Sequence, residues 1–401
     1  MPTVGDVDLL RTRLAQRFPA AEPFDGIDAV ASRLGRPVRV AVIRSDGIGD
    51  WILCLSLVDG LLASDAVAEV TLVAPAAYRS LLGRRDGVGF EPFDAATIIA
   101  PPAPGGALGK ALALSWVGQR RAMAAGSARR GRYDLAVLPR WDTDAGFNAR
   151  AWALGAGLLI AGHDPALVPG AGPSERAETA LLSIRSGDDR PAEHDTARAA
   201  TLAKALGIPI IPAEGVGLRQ FGVTREDRGG RPLVLVHAGS NEPKRRWPVN
   251  GWRHVVTALV AKGAEVVLVG GPDDVETNAR ILAGIEGPVR STAGSLPLGE
   301  LPALAARAAV LVSNDSGPAH IACSVGTPVV TVIHHSPAGD PAHRSSPDRF
   351  GPWGAPHRVL RPAHSVPPCV GACTRAEAHC IAAVPAEEVA AAALDMLALQ
   401  R

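Results

Sequence analysis

Residues 38–53 read Val-Arg-Val-Ala-Val-Ile-Arg-Ser-Asp-Gly-Ile-Gly-Asp-Trp-Ile-Leu. The first six are apolar apart from Arg39 and mostly β-branched, the composition of a strand buried on both faces of a parallel sheet. The loop Arg44 to Asp50 follows and carries Gly47 and Gly49. A helical apolar pattern then runs from Trp51 to Ala63. Strand, glycine-bearing loop and helix open a βαβ unit. Outward from it, Val67–Ala74, Tyr133–Leu138 and Leu158–Gly162 read as further strands, and residues 1–36 as a charged helical extension closed by Gly35-Arg36-Pro37.

The alternation pauses between Gly207 and Arg231, a stretch holding Pro209, Pro212 and Gly229-Gly230 that reads as a linker. It then restarts. Strands are expected at Pro232–His237, Glu265–Gly270, Ala309–Val312 and Pro328–Ile333. Helices are expected at Pro248–Lys262, Asp273–Ala283, Leu301–Ala308 and Gly317–Val325. Ser336–Pro368 is Pro-rich and reads as irregular, and Pro385–Gln400 as a terminal helix whose Glu387 and Glu388 suit the positive end of its dipole. The fold class is therefore α/β with two parallel sheets. Residues 1–36 form the extension, 37–215 the first domain, 216–384 the second and 385–401 a terminal helix. Ligands of such sheets sit at the carboxyl ends of the strands.

Composition limits the function classes. Of 401 residues, 47% are hydrophobic and 20% charged, with net charge +1. That excludes a disordered chain, and the absence of a basic field argues against nucleic acid as a partner. No apolar run reaches the roughly 18 residues of a spanning helix, and Met1–Ala20 lacks the apolar stretch of a secretory signal. The expectation is a cytoplasmic protein whose membrane contact, if any, is peripheral and at the inner face. Lysine and arginine total 41, but only Lys110, Lys204, Lys244 and Lys262 are lysines, which singles out Lys244 within its loop.

Three strand-to-helix loops carry the chemistry. In the first, Gly47 and Gly49 permit a tight turn, and Asp50 opens the next helix as either a general base or a plain cap. The second, His237 to Pro248, offers Gly239 and Ser240 and then the cations Lys244, Arg245 and Arg246. Small donors followed by cations suit a diphosphate, against the alternative of a solvated basic loop. The third, Ser313 to His320, places Asp315, Ser316 and Gly317 at a helix start, where backbone N–H groups favour anions. Capping by Asp315 or Ser316 and packing by His320 are the structural alternatives. A fourth turn, Gly270 to Glu276, offers Asp273 and Glu276 to a ribose, or is simply an acidic helix start.

Taken in order, Arg39–Leu53, Leu235–Pro248, Val266–Asp273 and Asn314–Val330 resemble glycosyltransferase family 9, the ADP-heptose:lipopolysaccharide heptosyltransferases. The resemblance runs from about residue 38 to the C-terminus. It implies the GT-B architecture, two Rossmann-like doubly wound domains facing across a cleft, with acceptor on the first and nucleotide sugar on the second, and a terminal helix crossing back. It implies Asp50 as catalytic base, with Lys244 or Arg245 standing where the family has an essential cation. Gly239, Ser240, Asp315, Ser316, Gly317 and His320 become donor-binding residues, as do Asp273 and Glu276 for the ribose. Gly47, Gly49, Arg120 and Arg121 are assigned to the acceptor. The implied reaction is a metal-independent inverting transfer of heptose from an ADP-sugar, with no cofactor, to a saccharide or glycolipid hydroxyl. Two alternatives stay open: a GT-B transferase with another nucleotide sugar or a small-molecule acceptor, and a silent binding protein of the same fold.

Several features depart from a routine member. Besides the extension, Arg120, Arg121, Arg129, Arg130 and Arg132 cluster as an anionic-acceptor or membrane-surface patch, or as a solvated helix in an Arg-rich chain. Asp142-Thr143-Asp144 has the D-x-D form but lies in the first domain. Cys54 and Cys323 read as core residues. The Cys369-x3-Cys373-x6-Cys380 cluster, with His364 and His379 nearby, reads as free thiols: the absence of a C-x2-C pair weighs against a zinc site, and the expected cytoplasmic home against a disulfide.

Overall fold

The computed structural model describes residues 12–13, 16–17, 23–83, 85, 87–93, 116–140, 143–167, 171–187, 193–211, 221 and 230–399. Most of the N-terminal extension, most of the linker and Asp142 lie outside them. Within the extension, Gly26–Leu34 is a helix closed by Gly35 in the left-handed region.

The chain forms two compact units: Met1–Gly47 with Cys54–Arg79 and Arg85–Ile211, and Ile48–Leu53 with Ser80–Arg84 and Pro212–Arg401. The first holds strands β1 (Val38–Ile43), β2 (Val67–Ala74), β3 (Val88–Pro92), β4 (Leu135–Leu138), β5 (Leu159–His163) and β6 (Ile184–Ser186). Their order is β3-β2-β1-β4-β5-β6, all parallel. The second holds β7 (Leu233–His237), β8 (Glu265–Leu268), β9 (Val289–Ser291), β10 (Val310–Asn314), β11 (Val329–Val332) and β12 (His357–Leu360), in the order β12-β11-β10-β7-β8-β9 and again all parallel. Each sheet thus has the doubly wound order with a topological switch point, between β1 and β4 and between β7 and β10.

The inner strands are the expected ones, each boundary within two residues. Four strands were not anticipated: β3, β6, β9 and β12. They are the four edges of the two sheets. Edge strands are short and polar because one side faces water, so Val-Arg-Ser of β9 and His-Arg-Val-Leu of β12 carry little apolar signal. The segment read as irregular therefore contains β12 and a short helix, Pro347–Phe350. The helix expected over Trp51–Ala63 is instead two, Ile48–Leu53 and Leu55–Leu62, broken at Cys54.

The core of the first sheet gathers Ala41, Ile43, Val73 and Ala136 around Trp152, against which Phe93 sits edge-on at 6.3 Å. Helices Trp116–Ser127 and Thr143–Ala156 touch backbone to backbone there: a Cβ on Gly126 would meet the Trp152 carbonyl oxygen at 2.0 Å. The second core centres on Trp247 and Trp252, perpendicular at 5.1 Å, with Val234, Val236, Val310 and Val312 fully buried. Each such valine stabilises the fold by about 1.5 kcal/mol or more. The terminal helix, Ala386–Ala398, buries Val389, Ala393 and Met396 in this second core. Among the described residues no helix is long and apolar enough to cross a membrane.

Candidate functional site

The switch point of the first sheet is built on Arg44, which is almost fully buried. Its Nε donates to Asp46 at 2.8 Å, one terminal nitrogen donates to Asp195 at 3.2 Å and the other to the Pro139 carbonyl at 3.1 Å. Arg140, after β4, donates to the second Asp46 oxygen at 2.8 Å, and the Tyr78 hydroxyl to the Asp46 carbonyl at 2.7 Å. The loops leaving β1 and β4 are thereby locked around a small cavity lined by Arg44, Ser45, Asp46, Arg140 and Arg150. Burying charges at this density requires pairing, and Arg150 is matched at 3.0 Å by Glu178, itself fully buried. Gly47 leads out of this network. Arg120 and Arg121 are exposed on the Trp116–Ser127 helix. The other arginines of the cluster serve the fold: Arg129 and Arg132 pair with Glu91, and Arg130 donates to the Gly155 carbonyl.

The second sheet repeats the arrangement with different chemistry. Asn314, at the end of β10 and fully buried, donates to the Ala238 carbonyl at 2.6 Å and accepts from the Trp247 amide at 3.2 Å, which stitches the β7 loop to β10. Arg245 donates to Asp315 at 3.1 Å, joining the same two loops. Glu242 lies among Lys244 at 3.3 Å, Arg245 at 3.5 Å and Arg344 at 3.8 Å. Burial pushes its carboxyl up, but the charges of Arg245, Lys244 and Arg344 outweigh that and hold it below its ordinary value. Four side chains thus concentrate positive charge at the carboxyl end of the sheet: Lys244, Arg245, Arg246 and Arg344.

Ser316 occupies the cap position of the Gly317–Ser324 helix but makes no side-chain cap. Its hydroxyl donates to the Asn314 carbonyl at 3.0 Å. With that proton committed, His237 Nδ1 is the donor in the 2.9 Å bond to Ser316 Oγ. The opposite ring nitrogen of His237 faces Asp274 at 3.6 Å. Asp274 also accepts from the Gly271 amide at 2.9 Å. Burial acts to raise the Asp274 carboxyl, but His237 and the Gly271 N–H prevail and hold it low. Gly239 packs closely on Asp274: an added Cβ would stand 2.2 Å from Asp274 Oδ1, so any larger residue would have to displace that carboxylate. At the helix start, Pro318 has no N–H and the Ala319 amide donates to the Ser316 carbonyl at 3.1 Å.

Segment Ile48–Leu53 belongs to this second unit and packs on the same helix. A Cβ on Gly49 would lie 2.4 Å from the His320 ring, and one on Gly317 would lie 2.8 Å from Ile48. His320 is buried and Asp50, the next residue after Gly49, is half-buried.

The structure thus brings Gly239, Lys244, Arg245, Asp315, Ser316 and Gly317 to one switch point, with the Ile48–Leu53 helix, which carries Gly49 and Asp50, packed against the helix that Gly317 opens. Ser240 sits in the same loop, its hydroxyl accepting from the Glu242 amide at 3.3 Å. Asp273 and Glu276 are exposed, and it is Asp274 that turns inward. Sequence reasoning missed His237, Glu242, Asp274, Asn314 and His334. The signal for Asp274 was available only as one of two adjacent aspartates; the turn Pro272–Asp274 decides which faces the sheet. His334, just past β11, is 2% exposed; burial first, then the nearby Arg245 and Lys244 charges, push its pKa down to about 3.

Two doubly wound parallel sheets, each with charged loops at its switch point, are the Rossmann-like pair of the GT-B fold class. Residues 177–378 match the family model described as "Glycosyltransferase family 9 (heptosyltransferase)", and the chain belongs to that family. It is 35% identical over 107 residues, 26% of this chain and 32% of the other, to the protein named lipopolysaccharide heptosyltransferase 3 of Escherichia coli. The chain spans about a third of the length of the curated relatives it matches. A solved family 9 glycosyltransferase from Veillonella parvula superposes with a TM-score of 0.62 at 19% identity, covering 90% of this chain and 97% of that one. The E. coli structure titled ADP-heptose LPS heptosyltransferase II superposes at 0.60 and 22% identity, covering 90% and 99%. At these identities the superpositions show the fold.

Proposed function

We propose that this protein is an inverting glycosyltransferase that moves heptose from ADP-heptose to a hydroxyl of a saccharide or glycolipid acceptor of the lipopolysaccharide-core kind. The observation that carries the reading is the meeting of Arg245, Asp315, Ser316 and Gly239 at the β7–β10 switch point, beside Lys244. A sugar diphosphate seated there places its oxygens against Lys244, Arg245 and the Gly317 amide. Departure of the diphosphate develops negative charge, and preorganised cations stabilise it without reorganising. In this reading protein groups supply that charge and no metal is used at the reacting centre.

Asp50 acts as the base. It lies in the first turn of its helix, where the dipole favours the ionised form. It takes the proton of the acceptor hydroxyl as that oxygen attacks the anomeric carbon from the face opposite the diphosphate. One displacement inverts the centre, through an oxocarbenium-like transition state. Family membership and the name of the E. coli relative support heptose as the sugar. In this reading the acceptor binds the first unit, with Gly47, Arg120 and Arg121 as its candidate contacts. The protein works at the cytoplasmic side, touching the inner membrane surface where a glycolipid acceptor is presented.

The test is calorimetry with ADP, UDP, GDP, dTDP and ADP-heptose. Selective ADP binding, tightened by the heptose and weakened in Lys244→Ala and Arg245→Ala, is expected. A preference for another base would discard the donor while keeping the fold. No binding to any of them would leave a silent member of the family. Product analysis by NMR reads inversion, and added Mg²⁺ or Mn²⁺ should leave the rate unchanged.

A further inference from the structure

Cys369, Cys373 and Cys380, read from the sequence as free thiols, are brought together with His379 near the C-terminus of the second unit. Their ligand atoms, three Sγ and one ring nitrogen, all lie within 4.8 Å of one another. The three sulfurs are buried, packed with Val366 in a small cluster of their own. None is in a disulfide.

We propose that Cys369, Cys373, His379 and Cys380 form a tetrahedral site for one structural zinc ion. The distances carry the assignment. In a tetrahedral zinc site with bonds of about 2.3 Å to sulfur and 2.0–2.1 Å to nitrogen, sulfur and nitrogen ligands stand roughly 3.6 Å apart. His379 Nδ1 lies 3.6 Å from the Sγ of Cys369 and 3.6 Å from that of Cys380. Three soft sulfurs and one imidazole select a thiophilic ion over magnesium or calcium, and a closed set of four protein ligands is structural rather than catalytic.

The local chain is shaped for this. Gly371 takes φ 71° and Val370 bridges Ala372, so the chain reverses between Cys369 and Cys373 and a spacing of x3 serves where x2 is usual. The Thr374 amide donates to Cys369 Sγ at 3.5 Å, and Thr374 Oγ1 lies 3.5 Å from the same sulfur. Such donation stabilises charge on a ligand sulfur. On loading, each of the three thiols gives its proton to solvent as its sulfur–metal bond forms. Neutral His379 binds through Nδ1 and keeps its proton on Nε2, so the loaded site carries one negative charge.

The place in the fold gives the site its use. Cys380 opens the turn Cys380–Ala383, and Ile381 and Val384 enter the second core. The Val384 carbonyl accepts from Trp247 Nε1 at 3.2 Å, and Trp247 ends the loop that carries Lys244 and Arg245. The ion thus fastens the stretch on which the cationic loop rests.

The test is metal analysis of the full-length protein, purified without a histidine tag, by plasma mass spectrometry. About one zinc per chain is expected. Titration with an organomercurial should release it with a metallochromic dye as reporter, and cobalt replacement should give the visible bands of a tetrahedral thiolate site. Cys373→Ser should lose the zinc; if that variant does not fold, mercurial release from the parent protein decides alone. Zinc far below one per chain, with all three thiols open to alkylation, would overturn the proposal, as would a disulfide among them by mass spectrometry. These readouts do not depend on the donor or on turnover, so they stand or fall apart from the proposed function.

Discussion

Arg245 and Asp315 face each other at 3.1 Å across the loops that leave β7 and β10. The pair holds the guanidinium at the switch point. It also shows which of two adjacent cations is better anchored, since Lys244 pairs with Glu242 while Arg245 pairs with both Glu242 and Asp315.

Arg245→Ala should lower kcat/KM by on the order of 10²- to 10³-fold, the usual cost of removing one preorganised donor to developing charge. Arg245→Lys keeps the charge but loses the planar fork, so its deficit should be nearer tenfold. Steady-state kinetics with ADP-heptose checks both. An alanine variant within twofold of the parent would remove Arg245 from the site.

Gly239→Ala drives a methyl group into the Asp274 carboxylate, which the Gly271 amide and His237 hold in place. Overpacking of this kind costs about 1–3 kcal/mol. The expected result is a folded protein of lower melting temperature whose ADP affinity falls at least about tenfold, the equivalent of 1.4 kcal/mol. The double variant Gly239→Ala/Asp274→Ala should recover part of the stability lost in the single one. Strict additivity in that cycle would show that the two residues do not meet.

Asp50→Asn preserves shape and removes basicity. If Asp50 takes the acceptor proton, kcat should fall by about 10²- to 10⁴-fold while ADP binding stays within about twofold. Equal losses in turnover and in ADP affinity would point instead to a structural part for Asp50 beside Gly49 and His320.

His334 gives a pH dependence with a defined sign. Its native pKa is held at about 3 against an ordinary 6.5, by burial first and then by Arg245 and Lys244. The native residue therefore stays neutral as pH falls, while the unfolded chain takes up a proton. Stability should decline as pH drops from 6.5 towards 3, by at most about 1.4 kcal/mol per pH unit from this group. Chemical denaturation at a series of pH values should show a shallower decline for His334→Gln. Parallel slopes for the two proteins would mean that His334 is solvated in the native state.

The sequence by itself determined the inner strands, the two-sheet plan and the loops that carry chemistry. Strands buried on both faces must be continuously apolar, as Val38–Ile43 and Leu233–His237 are, and the turn after each needs small or polar residues at fixed offsets. The family was legible because Arg39–Leu53, Leu235–Pro248, Val266–Asp273 and Asn314–Val330 follow one another in order along the chain. Tertiary structure decided the rest. It placed β3, β6, β9 and β12 at the sheet edges, where exposure to water erases the apolar pattern. It chose Asp274 over Asp273 through the register of one short turn, and turned the Ser316 hydroxyl to His237 and Asn314 rather than to its own helix. It also folded Cys369, Cys373, His379 and Cys380 to a single point, which their linear spacing does not disclose because the reversal at Gly371 is a property of backbone conformation rather than of residue order.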